Sequence, residues 1–81
     1  MEIDLVYRYA VGNINGRKSI VTLGKDLEID GWWVKTYYFT EHKYNMEFFF
    51  FHFFADRHFR KIVKTYELKA KTNVFDRERY R

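Results

Sequence analysis

Apolar and polar side chains alternate along the first eleven residues of the chain. Residues at alternate positions of a strand point to the same face, so the pattern predicts a first β-strand with one apolar face. The segment 12–16 follows, and its Asn-Gly pair tolerates the positive φ angles of a tight hairpin turn. A second strand is therefore expected over residues 18–23. The alternating apolar positions of the first strand are Ile3, Leu5, Tyr7, Tyr9 and Val11.

Two further strands are predicted in the middle of the chain. The dipeptide Asp30-Gly31 is a turn signal, and a third strand is expected over residues 32–40, where neither face is plainly polar. The fourth, over residues 46–54, holds six of the nine phenylalanines and is apolar on both faces. Such a strand is typical of the centre of a sheet covered above and below, which would bury Phe51 in the core.

The period of the apolar positions changes after the phenylalanine run. Asp56 stands where the N-cap of a helix is expected, and the pattern predicts an amphipathic helix over residues 56–71. Leu68 falls off the helical stripe, and an alternative interpretation places a fifth strand over residues 65–70. The stripe consists of Ala55, Phe59, Ile62, Val63, Tyr66 and Ala70.

These elements predict one small α+β domain over residues 1–81, with a charged tail over residues 74–81. Its fold would be a four-stranded antiparallel meander followed by one helix (ββββα), with an all-β fold of five strands as the alternative. One helix covers one face of such a sheet, so the other face would expose several large apolar groups. We expect a second copy of the chain, a partner protein or nucleobases to cover that face, unless a strongly twisted sheet buries both faces. Self-association through the face opposite the helix is the prediction for the oligomeric state.

Composition narrows the classes of partner. The 81 residues include no cysteine, which excludes disulfides and thiolate metal sites, and 22% are aromatic. The net charge of +4 favours acidic partners such as nucleic acid or an acidic protein surface. No apolar segment reaches the ~20 residues of a membrane span, and the start lacks the basic segment of a secretion signal. A cytoplasmic protein without membrane, cofactor, metal or small-molecule substrate is expected.

Two groups of side chains are candidate binding residues. Four cations of the predicted helix lie on one stripe, away from its apolar side, where they would contact phosphates or form an ordinary solvated face. On the predicted sheet, a lysine lies among aromatic residues, which is typical of surfaces that bind single-stranded nucleic acid but also of strands whose rings are buried. The helix group is Arg57, Arg60, Lys61 and Lys64, and the sheet group is Lys35, Trp33, Tyr37 and Tyr44.

The order of four strands and then a helix resembles that of small single-stranded nucleic acid binders of the PUR-repeat and Whirly types. That resemblance implies nucleic acid binding and a homodimer. The leading hypothesis is therefore a non-enzymatic nucleic-acid-binding module. The alternative is a phage- or mobile-element-type protein that inhibits a host protein by stoichiometric binding. A minor hypothesis is a small basic ribonuclease using His58 with Arg57 or Arg60 and a tyrosine; no catalytic residue is otherwise indicated.

Overall fold

The computed structural model describes residues 4–28 and 30–72 and shows a five-stranded antiparallel sheet with one helix. The strand order in the sheet is β4-β3-β2-β1-β5. The predicted α+β fold, a four-stranded meander followed by one helix, is confirmed, and a short fifth strand is added. The predicted tail 74–81 lies outside the described residues. The elements are β1 (Asp4–Ile14), β2 (Arg17–Asp26), β3 (Gly31–Tyr38), β4 (Lys43–Phe49), α1 (His52–Thr65) and β5 (Lys69–Thr72).

The first hairpin forms as the sequence predicts. Ile14 pairs with Arg17, so the loop has two residues, and Asn15 and Gly16 adopt φ angles of 54° and 80°. Positive φ at both positions matches the right-handed twist of the flanking strands, which is why Asn-Gly favours this turn. The hairpin sets the register of the β1–β2 ladder as far as Arg8, which pairs with Leu23. A bulge between Val6 and Arg8 then shifts the register by one residue, and the ladder ends at the pairing of Asp4 with Asp26.

The helix covers one face of the sheet. Ala55 and Phe59 are its buried residues, and both belong to the cluster that forms the hydrophobic core. Burying a phenylalanine ring removes roughly 150–250 Å² from water, so Phe59 supplies much of the attachment of α1 to the sheet. The remaining buried members of the core are Ala10, Ile14, Val21, Leu23, Val34 and Leu68.

The helix ends at Thr65 and does not continue to residue 71 as predicted. Glu67 has a φ of 53°, and the backbone N–H of Leu68 donates to the carbonyl of Val63 at 2.9 Å. A left-handed residue followed by this bond is the Schellman motif, which satisfies the last helical carbonyls and turns the chain. Leu68 is thereby placed in the core, which explains why it does not fit the helical stripe. The fifth strand then starts at Lys69, so the alternative strand over residues 65–70 was placed about four residues too early.

The prediction for the phenylalanine run is wrong. β4 ends at Phe49 and is an edge strand, and α1 begins at His52, four residues before Asp56. Consecutive strands of a meander are neighbours, so its fourth strand is flanked only by the third unless a later strand pairs with it. β5 pairs instead with β1. Phe51 is consequently the N-cap residue of α1 and is 66% exposed, not buried in the core.

Two phenylalanine substitutions test this assignment of the core. Phe59 is 1% exposed, so Phe59→Ala should lower the free energy of unfolding by about 3–5 kcal/mol. Phe51→Ala removes the same atoms from an exposed position and should change it by less than about 1 kcal/mol. Chemical denaturation of both variants measures the difference. A larger loss for Phe51→Ala than for Phe59→Ala would contradict the observed arrangement.

Candidate functional site

The sheet face opposite α1 is defined here as the open face. Val34 points into the core beneath the helix, so its neighbours Trp33 and Lys35 point to the open face. Directly paired residues share a face, which extends the assignment to β4. The open-face pairs of β3 and β4 are Trp33 with Phe48, Lys35 with Met46, and Tyr37 with Tyr44.

Lys35 lies between two aromatic rings of the open face. Its Nζ is 5.5 Å from the ring centroid of Trp33 and 5.3 Å from that of Tyr44. An ammonium group at this distance over a ring gains roughly 0.5–1 kcal/mol at an exposed site. The two contacts hold the lysine over its own sheet, with its charge at the middle of the aromatic surface.

Two glycines leave room for aromatic rings to lie close to the backbone of the open face. A Cβ on Gly24 would overlap the indole ring of Trp33, and one on Gly31 would overlap the ring of Phe48. Trp33 is therefore only 6% exposed, so it supports Lys35 but offers little ring surface to a ligand. Its indole nitrogen is buried without a hydrogen-bond partner among the described residues, which costs the fold about 1–3 kcal/mol.

Two of the open-face rings stand beside Lys35 toward the β3–β4 turn, while the exposed Phe48 lies at the other end of β4. Tyr44 is 59% exposed, and the half-buried Tyr37 stands opposite it on β3. The Tyr37 hydroxyl lies 3.1 Å from Nδ1 of His42, and its ring makes an edge contact with Phe39 at 5.2 Å between centroids. These contacts fix the orientation of Tyr37. The result is a small group of positioned rings beside Lys35.

Positive charge predominates on the open face. Lys18 on β2 pairs with Asn13, and Lys69 on β5 pairs with Val11. The β1 neighbours of these two partners, Ile14 and Ala10, point into the core, so both lysines point to the same side as Lys35. Among open-face side chains that the structure describes, the one carboxylate is that of Asp26 at the end of β2. It accepts a hydrogen bond from the backbone N–H of Glu28 at 2.9 Å and so belongs to the turn. The centre of the open face is therefore cationic and aromatic.

The predicted helix group lies on the other side of the molecule. Arg57, Lys61 and Lys64 are exposed on the outer side of α1, and Arg60 forms an ion pair with Asp56 at 2.8 Å. Asp56 is not an N-cap; it lies within the helix and also pairs with Arg8 at 3.2 Å. The helix group is thus one basic stripe, as predicted, but the sheet separates it from Lys35, Trp33, Tyr37 and Tyr44. A single flat ligand cannot contact both groups at once.

A phenylalanine cluster at the junction of β4 and α1 was missed as a surface feature. It consists of Phe50, Phe51, Phe53 and Phe54, which are 51–79% exposed. Phe54 contacts the rings of Phe51 and Phe53 at centroid distances of 6.2 and 5.4 Å. Phe50 meets Phe48 at 6.2 Å, which joins the cluster to the open face. The run of phenylalanines was the available signal, but its density was interpreted as burial.

The predicted ribonuclease group is only partly brought together, because His58 reaches a cleft and Arg57 and Arg60 are not among its described lining residues. His58 lies beside a cavity of about 190 Å³ between α1 and the β3–β4 hairpin, with its Nε2 3.4 Å from a carboxylate oxygen of Glu47. Tyr38, Asn45 and Tyr66 also line this cavity. No arginine or lysine is among the described lining residues, so the cavity does not bring together the cationic stabiliser that phosphoryl transfer needs.

Comparisons with protein-family models, curated proteins and solved structures find no match to this chain. The resemblance to the PUR-repeat and Whirly types is thus confined to the order of the elements. In the part of the chain that the structure describes, no helix is long and apolar enough to cross a membrane.

The contact between Gly24 and Trp33 gives a test of the open-face geometry. Gly24→Ala places a methyl group where the indole ring lies, so we expect the ring to move and stability to fall by about 1–3 kcal/mol. In a Trp33→Ala background the same substitution should cost much less, because the obstructing ring is gone. Denaturation of the double-mutant cycle measures the coupling. Equal costs in both backgrounds would show that Trp33 does not lie on Gly24.

Proposed function

We propose that this protein is a non-enzymatic, cytoplasmic module that binds single-stranded nucleic acid on the open face of its sheet. The observation that carries the proposal is the placement of Lys35 between Trp33 and Tyr44, at the centre of an aromatic surface. Surfaces of this kind bind a single strand through two contributions, which are stacking of bases on rings and neutralisation of phosphates by cations.

The stacking contribution would come mainly from Tyr44. Its ring is 59% exposed and already packs against a cation, so one ring face is turned to the protein and the other side is available to a base. A base stacked on an aromatic side chain contributes roughly 1–3 kcal/mol. A duplex keeps its bases stacked on one another, whereas a flat sheet needs unstacked bases. The geometry therefore favours single strands.

The phosphate contribution would come from Lys35 with Lys18 and Lys69. These lysines stand on β3, β2 and β5, so their positive charge extends across the sheet and not along one strand. A strand of nucleic acid crossing the β-strands would pass from the exposed rings near Tyr44 toward the lysines. The basic stripe of α1 lies on the opposite side and would contribute through the general electrostatic field of the protein.

Binding of labelled oligonucleotides, followed by fluorescence anisotropy at several salt concentrations, tests the proposal. Tyr44→Ala should weaken binding of a single strand by roughly 5- to 150-fold, because one base is deprived of its stacking partner. Lys18→Gln with Lys35→Gln should flatten the logarithmic salt dependence by about 0.7 for each phosphate that the variant no longer neutralises.

A matched control removes the same charge from the helix. Lys61→Gln with Lys64→Gln lowers the net charge by the same amount at exposed positions, so it should leave the salt slope close to that of the parent protein. If the helix pair flattens the slope and the sheet pair does not, phosphates bind α1 and the open-face proposal is wrong. Absence of salt-sensitive binding by the parent protein would also overturn it.

The phenylalanine cluster favours a second candidate function, a stoichiometric protein binder of the kind that mobile elements use as inhibitors. Phenylalanine is enriched at protein interfaces, and contiguous exposed apolar side chains such as these four rings mark interaction sites. Such an interface would depend little on salt, which separates it from phosphate binding.

Affinity capture from a nuclease-treated lysate, followed by mass spectrometry, checks this second candidate. A protein held in stoichiometric amount by the parent chain should no longer be captured by Phe51→Ser with Phe54→Ser, because both rings are on the surface. The variant should retain its fold and its nucleic acid affinity. A captured protein that the variant still holds would not be bound through the cluster.

A further inference from the structure

The two edges of the sheet differ in how they would meet another strand. The β5 edge has four residues, Lys69–Thr72, and two of them are lysines. Short edge strands that carry lysine resist pairing with another chain. The β4 edge has seven residues, Lys43–Phe49, and no described strand or helix pairs with its outer side. A strand from another chain can therefore pair more readily with β4 than with β5.

We propose that two copies of this chain pair through β4, antiparallel about a two-fold axis at Met46, to form one continuous ten-stranded sheet. Facing residues of antiparallel strands share a sheet face, so the possible registers differ by steps of two residues. Met46 is the middle residue of β4. Only the register in which Met46 faces the partner's Met46 therefore pairs all seven residues of both strands.

The side chains of β4 are complementary to one another in this register. On the open face, the exposed Tyr44 stands opposite the partner's Phe48, and a cross-strand aromatic pair contributes roughly 0.2–1 kcal/mol. On the helix side, the amide of Asn45 faces the carboxylate of the partner's Glu47. No two like charges are directly opposite. Moving the axis to Glu47 would set two carboxylates against each other.

Pairing of the edges also avoids the charge conflict of face-to-face packing. A dimer built on the open faces would bring the Lys35 ammonium groups of both copies into an interface of low polarity, where an unpaired charge is costly. Edge pairing leaves Lys35 open to solvent. It also places the Tyr44 and Phe48 rings of two copies side by side, so a continuous aromatic surface spans both protomers. The dimer proposal does not depend on nucleic acid binding, and the two proposals are tested separately.

Sedimentation and disulfide trapping, both without nucleic acid, test the dimer. The parent chain should sediment at twice its 10.1 kDa mass at micromolar concentration. Met46→Cys introduces the one cysteine of the chain, and its Cα should face its counterpart at about 4.5–5.5 Å, within disulfide range. Mild oxidation should convert most of this variant to covalent dimer. Lys69→Cys on the opposite edge should stay largely uncrosslinked.

A charge substitution gives an independent readout. Met46→Lys places the ammonium groups of the two copies opposite each other across the axis, so it should weaken dimerisation at least tenfold. Ala70→Lys adds the same charge at the β5 edge and should leave dimerisation unchanged. Met46 and Ala70 are both exposed, so circular dichroism should show both variants folded. A monomeric parent, a Met46→Lys variant that dimerises like the parent, or efficient trapping by Lys69→Cys and not by Met46→Cys would each overturn the proposal.

Discussion

The structure depends on the packing of a single helix against one face of the sheet. Ala55 and Phe59 bury their side chains against the residues of β1, β2 and β3, and Leu68 closes the core after the helix ends. Small domains bury a modest fraction of their surface, and α1 is the one helix among residues 4–28 and 30–72, so no second described layer covers the other face. The side chains of the open face consequently do not pack into the main core. Its aromatic residues contribute to stability only through contacts with one another and with the sheet.

Those local contacts give the open face its order. Gly24 lets the ring of Trp33 lie close to the backbone, and Gly31 does the same for Phe48. The Trp33 ring then contacts the Lys35 ammonium group. A glycine within a strand forgoes side-chain packing and costs conformational entropy. Here Gly24 makes room for the ring of Trp33, which contacts Lys35, and Gly31 makes room for the ring of Phe48. The arrangement gives up stability for a fixed cationic and aromatic surface, which is the physical basis of the proposed binding role.

Local patterns in the sequence predicted the first three strands and the first turn, because these depend on alternation and on Asn-Gly at the hairpin. The phenylalanine run could not be placed in the same way. Six rings within nine residues satisfy the period of a strand and that of a helix equally, so periodicity does not mark the change at residues 50–51. The helix end depends on the left-handed Glu67, a residue without a turn signal of its own. The separation of the two candidate groups depends on which face α1 covers, and this is decided by tertiary packing.

The exposed phenylalanines contribute little to the stability of a single copy of the chain. Phe50, Phe51, Phe53 and Phe54 are more than half exposed, and exposed rings add a risk of nonspecific association. The basic stripe begins directly after them on α1, since Arg57 and Lys61 share the outer side of the helix with Phe53 and Phe54. An acidic partner with an apolar recess would match both features. The open face shows the same combination of rings and lysines, so both sides of this domain place exposed aromatic rings beside basic side chains.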